Sequence, residues 1–129
     1  MDIDYKILMD KAKEASRNSY SPFSRFAVGA AVITSNGKIY QGCNVENSSF
    51  GLTICAERTA IFKAVSEGER EILAVAIYSP NSDSCYPCGA CRQVLYEFQG
   101  DTEIDVVTEN LGTLEIQKLS YFLPCGFRI

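Results

Sequence analysis

The chain has 129 residues, 47% of them hydrophobic and 22% charged, enough for one compact domain over 1–129 and too few for two. A net charge of −4 without a basic cluster lacks the positive footprint that a phosphate backbone demands, which argues against a nucleic-acid polymer as partner. The opening Met1-Asp2-Ile3-Asp4-Tyr5-Lys6 is charged and the longest apolar run, 26–33, is far short of a bilayer span, so the expectation is a soluble, cytoplasmic protein without a membrane partner.

In chain order, residues 4–18 are expected to form a helix, with Ile7, Leu8, Lys11, Ala12 and Ala15 on one stripe. Residues 26–34 are expected as a strand. The Asn36-Gly37 pair then signals a tight hairpin, with 38–43 returning antiparallel at the sheet edge. A helix over 55–67 should stop at Gly68, a buried strand should cover 72–79, and a third helix over 88–98 should end by Gly100. Residues 104–108 give a further strand. Thr113 is a candidate N-cap for a short helix over 114–120, ahead of an irregular tail around Pro124. Two strand-to-helix passages that open on cysteines imply a layered α/β domain with its site at the helix N-termini.

Six cysteines in a chain without a secretory signature point to reduced thiols or metal ligands rather than to a disulfide framework. Histidine is absent, so a metal must be held by Cys, Asp or Glu, and proton transfer falls first to carboxylates. Cys88 and Cys91, three apart at a helix start, share a face. The partial positive charge of that N-terminus favours the thiolates that zinc requires. With Cys55 they make three sulfur ligands, the number that leaves a catalytic zinc site open for water. Two rivals compete. Cys85, Cys88 and Cys91 begin an iron–sulfur spacing, but the fourth Cys and its following Pro are replaced by Leu95 and Tyr96. A redox dithiol at Cys88 and Cys91 leaves Cys55-Ala56-Glu57 unexplained.

At 100° per residue, Glu57 falls among Ala60, Ile61 and Ala64 on the apolar stripe, so a carboxylate is buried there. The plainer role, complementing the helix dipole from the first turn, would suit a solvated position better. Residues two apart on a helix do not face each other, so Cys55 and Glu57 converge only if Cys55 is the cap. Arg58 would ordinarily be a surface cation. Three thiolates around one divalent ion need compensating charge, however, and hydrogen bonds from Arg58 to the sulfurs would supply it.

Cys55-Ala56-Glu57-Arg58-Thr59-Ala60, Pro87-Cys88-Gly89-Ala90-Cys91-Arg92-Gln93-Val94 and Gly42-Cys43-Asn44-Val45-Glu46-Asn47 together resemble the small homotetrameric cytidine deaminases of pyrimidine salvage. The likeness runs nearly end to end, through Phe26-Ala27-Val28-Gly29-Ala30-Ala31 to the tail with Leu123-Pro124 and Phe127. It implies a three-layer α-β-α sandwich around a mixed five-stranded sheet, and a homotetramer with sites at subunit interfaces. It further implies Zn2+ on Cys55, Cys88 and Cys91, zinc-activated water attacking C4 of cytidine or deoxycytidine, and Glu57 moving the protons. Asn44 and Glu46 would bind the ribose hydroxyls. Phe26, Ala56 and Phe127 would contact the substrate, Phe127 from a neighbouring subunit, with Arg58 and Gln93 supporting the ligands. Blasticidin S deaminases resemble the chain at the metal motifs but generally replace the ribose-binding glutamate, so Glu46 speaks against that alternative. In a non-catalytic zinc module, Cys85 or Cys43 would close a four-cysteine tetrahedron.

Overall fold

A computed structural model describes residues 1–129. Its elements are α1 (Tyr5–Ser16), β1 (Gly29–Thr34), β2 (Ile39–Cys43), a 3-10 turn (Phe50–Leu52), α2 (Ala56–Ser66), β3 (Ile72–Tyr78), α3 (Gly89–Glu97), β4 (Asp105–Asn110), β5 (Thr113–Lys118) and α4 (Leu119–Phe122). The strands form one sheet in the order β2-β1-β3-β4-β5. Only β3 and β4 run parallel, and α3 makes the crossover that a parallel pair requires. The hairpin of β1 and β2 lies at the sheet edge, as expected.

Alternation along the inner strands builds the layers. Ala31 and Ile33 of β1, with Ala74 and Ala76 of β3, pack under Leu8, Met9 and Ala12 of α1. Their neighbours Ala30, Val32, Val75 and Ile77 face Ala56, Ala60, Ile61 and Ala64 of α2 and Leu95 of α3. Burial on both faces explains the unbroken apolar runs of β1 and β3. Each fully enclosed Ile or Leu contributes about 1.5–3 kcal/mol. Gly29 and Gly42 let the helices settle on this sheet. A Cβ at Gly29 would lie 2.0 Å from the Ala12 carbonyl oxygen of α1, and one at Gly42 would lie 2.4 Å from the Ala60 nitrogen of α2.

Three expectations are corrected. The α1 stripe is rotated: Met9 is buried and Ile7 is half exposed, because Leu8, Met9, Ala12, Ala15 and Ser16 form the face that meets the sheet. The segment 114–120 is mostly strand, since Leu114 and Ile116 alternate with Thr113, Glu115 and Gln117, a period of two. Asn110 pairs with Thr113 across a two-residue turn. Leu111 (φ 50°) and Gly112 (φ 84°) both hold positive φ there, as a type I′ hairpin demands. Finally, β1 starts at Gly29 rather than Phe26. The N–H groups of Phe26, Ala27 and Val28 donate to the side chains of Ser24, Asn81 and Asn44 instead of to a neighbouring strand.

Candidate active site

Cys55 is the N-cap of α2, with extended backbone (φ −73°, ψ 155°) and a sulfur that makes no capping bond. The helix begins one residue later, which is the placement that convergence with Glu57 required. Cys88 caps α3, and its Sγ accepts from the Cys91 N–H at 3.4 Å. Two helix N-termini therefore deliver their cysteines to one point. The Sγ atoms of Cys55, Cys88 and Cys91 all lie within 4.8 Å of one another, and Cys55 Sγ is 3.8 Å from Cys88 Sγ. Sulfurs on a tetrahedral zinc at about 2.3 Å would be spaced by about 3.8 Å.

Electrostatics point the same way. Arg58 Nη2 donates to Cys55 Sγ at 3.2 Å. A hydrogen bond from Cys91, followed by Arg58, draws the Cys55 thiol down to about 5, while the Cys91 thiol, giving that bond in a buried place, is driven strongly up. Two adjacent thiolates repel unless a cation lies between them. A divalent ion removes that conflict and satisfies three soft donors at once, so the residues fit zinc. The thiol of Cys85 stays outside this set of three and is pushed up to about 11 by burial. It does not complete a four-cysteine tetrahedron here, nor does Cys43, whose Sγ contacts the Asn18 carbonyl.

Beside the sulfurs, Glu57 is 4% exposed. Burial first, then the neighbouring Cys55, pushes its carboxyl up to about 7. Glu57 lines a cavity of about 200 Å³ together with Phe26, Asn44, Cys55, Ala56 and Cys88. Ala56, the first residue of α2, is wholly buried, and its short side chain keeps the cavity open beside the sulfurs.

The other expected residues are distributed around this cavity. Asn44 is 8% exposed and braces the Phe26 segment, its Oδ1 accepting from Val28 N–H and Ser19 Oγ–H while Nδ2 donates to the Phe26 carbonyl. One amide proton of Asn44 is left for a ligand. Glu46 lies in an adjoining pocket of about 370 Å³ with Phe23, Ser24 and Phe50, which shares Thr53 with the first. Its carboxylate accepts from the N–H groups of Phe23 and Ser24 at 2.9 and 3.1 Å and from the Ser24 hydroxyl, and the Ser24 bonds hold it below the usual carboxylate range. Phe127 is 69% exposed. Gln93 is not brought to the sulfurs: its Nε2 donates to the Phe127 carbonyl at 3.1 Å, tying down the tail. Sequence reasoning missed Thr53, Tyr86 and Ser24, although Thr53 and Tyr86 each stand two residues before a ligand cysteine.

Residues 3–108 match the model of the cytidine and deoxycytidylate deaminase zinc-binding region. A cytidine deaminase of Sporosarcina psychrophila is 42% identical over 125 residues, covering 97% of this chain and 92% of the relative. One from Halalkalibacterium halodurans is 44% identical over 127 residues, covering 97% and 95%. The crystal structure of cytidine deaminase from Burkholderia pseudomallei superposes with a TM-score of 0.88 at 41% identity, covering 97% of this chain and all of that one.

Proposed function

The chain belongs to the cytidine and deoxycytidylate deaminase family, and from that premise we propose that it hydrolyses cytidine and deoxycytidine to uridine and deoxyuridine, releasing ammonia in pyrimidine salvage. One observation carries the reading: three mutually close sulfurs at two helix N-termini, with a buried carboxylate on the same cavity.

Cys55, Cys88 and Cys91 hold the zinc. When bound, it supplies a Lewis acid that makes water acidic enough to attack near neutral pH. Glu57 takes the first proton of the attacking water and passes it to N3 of the pyrimidine, so that C4 becomes electrophilic as the new C4–O bond forms. It then takes the remaining hydroxyl proton and delivers it to the amino nitrogen. The C4–N bond breaks, ammonia departs, and the 4-carbonyl and N3–H of the product remain. Two proton movements through one group suit a carboxyl poised at about 7. Arg58 meets the negative charge on Cys55. Phe26 and Ala56 flank the base, while Asn44 and Glu46 take the ribose hydroxyls. A site that hydrogen-bonds a hydroxyl discriminates strongly against analogues without it.

The same reading makes the enzyme a homotetramer in which Phe127 enters a neighbour's site, and the exposure of Phe127 and of Phe50 (72%) supports it. No helix is long and apolar enough to cross a membrane. Six unpaired cysteines suit the reducing cytoplasm, where salvage takes place. The deciding assay follows the ultraviolet absorbance of cytidine at neutral pH. Turnover is expected from the zinc-loaded protein, lost on chelation and regained on adding zinc. Turnover that persists after the metal has been removed would refute the assignment.

A further inference from the structure

The wall that carries Phe26 is not part of the sheet, and its attachment points to a residue outside the cavity. β1 and β3 pair as far as Gly29 opposite Tyr78. Two residues further along, that register would set Ala27 against Pro80, which has no N–H to contribute to a ladder. The Ala27 N–H donates instead to Asn81 Oδ1 at 2.8 Å. The Asn81 N–H in turn donates at 3.1 Å to the Oγ of Ser79, which is 2% exposed. Asn81 stands in the loop leading from β3 to Cys88, and its side chain reaches the segment leading from α1 to β1. Asn44 grips the flanking residues of that segment, Phe26 and Val28, from the β2 side. Asn81 grips Ala27 from the β3 side.

We propose that Asn81 is a positioning residue for the deamination. It ties the Phe26 wall to the loop that bears Cys85, Tyr86 and Cys88, so that the base is held at a set distance from the ligand cysteines. The proposal rests on the reading of Phe26 as the surface against which the base packs. Asn81 is absent from the residues lining the cavity and acts through the backbone of Ala27 alone. The bond needs only an acceptor oxygen at that reach, which Asp supplies as well as Asn.

Steady-state kinetics with cytidine on Asn81→Ala, Asn81→Asp and Phe26→Ala, with zinc content and thermal unfolding measured alongside, test this. Asn81→Ala should raise KM about three- to tenfold, the range of one hydrogen bond, with a smaller change in kcat. Its zinc content should match that of the parent, and Asn81→Asp should return KM to within about twofold of it. If Phe26→Ala raises KM and Asn81→Ala does not, the role of Asn81 is overturned while the base wall stands. If neither raises KM, the reading of Phe26 falls and the proposal falls with it. Parallel loss of zinc, kcat and thermal stability in Asn81→Ala, not restored by Asp, would make Asn81 a folding residue and overturn the proposal as well.

Discussion

The two sides of the cavity are built by different means. On the metal side, Cys55 and Cys88 are helix caps and Cys91 follows within one turn. Behind them, α2 lies so close to β2 that Gly42 has no room for a Cβ. On the side proposed for substrate, residues 22–28 belong to no strand. Side chains from two distant places, Asn44 and Glu46 after β2 and Asn81 after β3, hold their backbone. Phe23 (47%) and Phe50 (72%) remain open to solvent. A site set by caps and packing is rigid and local in sequence, whereas a wall hung on a few hydrogen bonds is adjustable. Damage to the first should therefore appear in the chemical step, and damage to the second in binding.

The largest expected effect tests the rigid side. Glu57→Gln keeps the volume of the buried side chain and removes its ability to carry protons. Turnover should fall by about three orders of magnitude, within the range of general acid–base catalysis, while zinc content and KM change little. Near-parental turnover would remove Glu57 from the mechanism. Loss of zinc would instead show that the carboxyl belongs to the metal's support rather than to the reaction.

The adjustable side should respond differently. Glu46→Ala removes the acceptor for three donors of Phe23 and Ser24 along with the proposed ribose contact. KM for cytidine should rise by about tenfold or more, with kcat affected less, since bonds to a charged acceptor are worth about 1.5–3 kcal/mol. A KM that does not move would rule out ribose contact. A fall in kcat at constant KM would mean that the two sides are coupled, against the comparison.

This division also explains what could be read in advance. Cap positions and the i, i+3 spacing are local, so the Cys88–Cys91 pair followed from the sequence, and so did the burial of Glu57, through the periodicity of α2. Cys55, 33 residues before Cys88, was joined to them by the pairing of the two motifs and by the resemblance. The layered architecture was read from the two strand-to-helix passages and from the family resemblance. β1 and β3 are unbroken apolar runs, buried on both faces, and show no alternation that would assign their residues to a face. Residues 26–28 were misread as strand because their apolar run continues that of β1, and the side chains that take their N–H groups lie 2 to 54 residues away. Gln93 was expected near the sulfurs through its neighbours in the motif, but it faces the tail. β5 was taken for a helix because Thr113 resembles an N-cap and a short apolar pattern fits both periods.

The turn before β5 offers the smallest test, on a part of the molecule that lines neither side of the cavity. Leu111 adopts φ 50° and is 76% exposed, so it bears the strain of the left-handed region without much compensation from packing. Its N–H donates to the Asp83 carbonyl at 3.2 Å, a bond that any residue but proline can make. Leu111→Asn retains that backbone bond and replaces the strained residue with one that tolerates the conformation. Stability should rise by about 1 kcal/mol and Tm by about 4 °C. Asp83 lies in the loop between β3 and Cys88, so the turn is also a distant prop for the metal side. With the backbone bond intact, kcat and KM should both stay at the parental values. A change in kcat would show that the loop carrying Cys88 depends on the Leu111 side chain itself, and would extend the rigid side of the cavity as far as the β4–β5 hairpin.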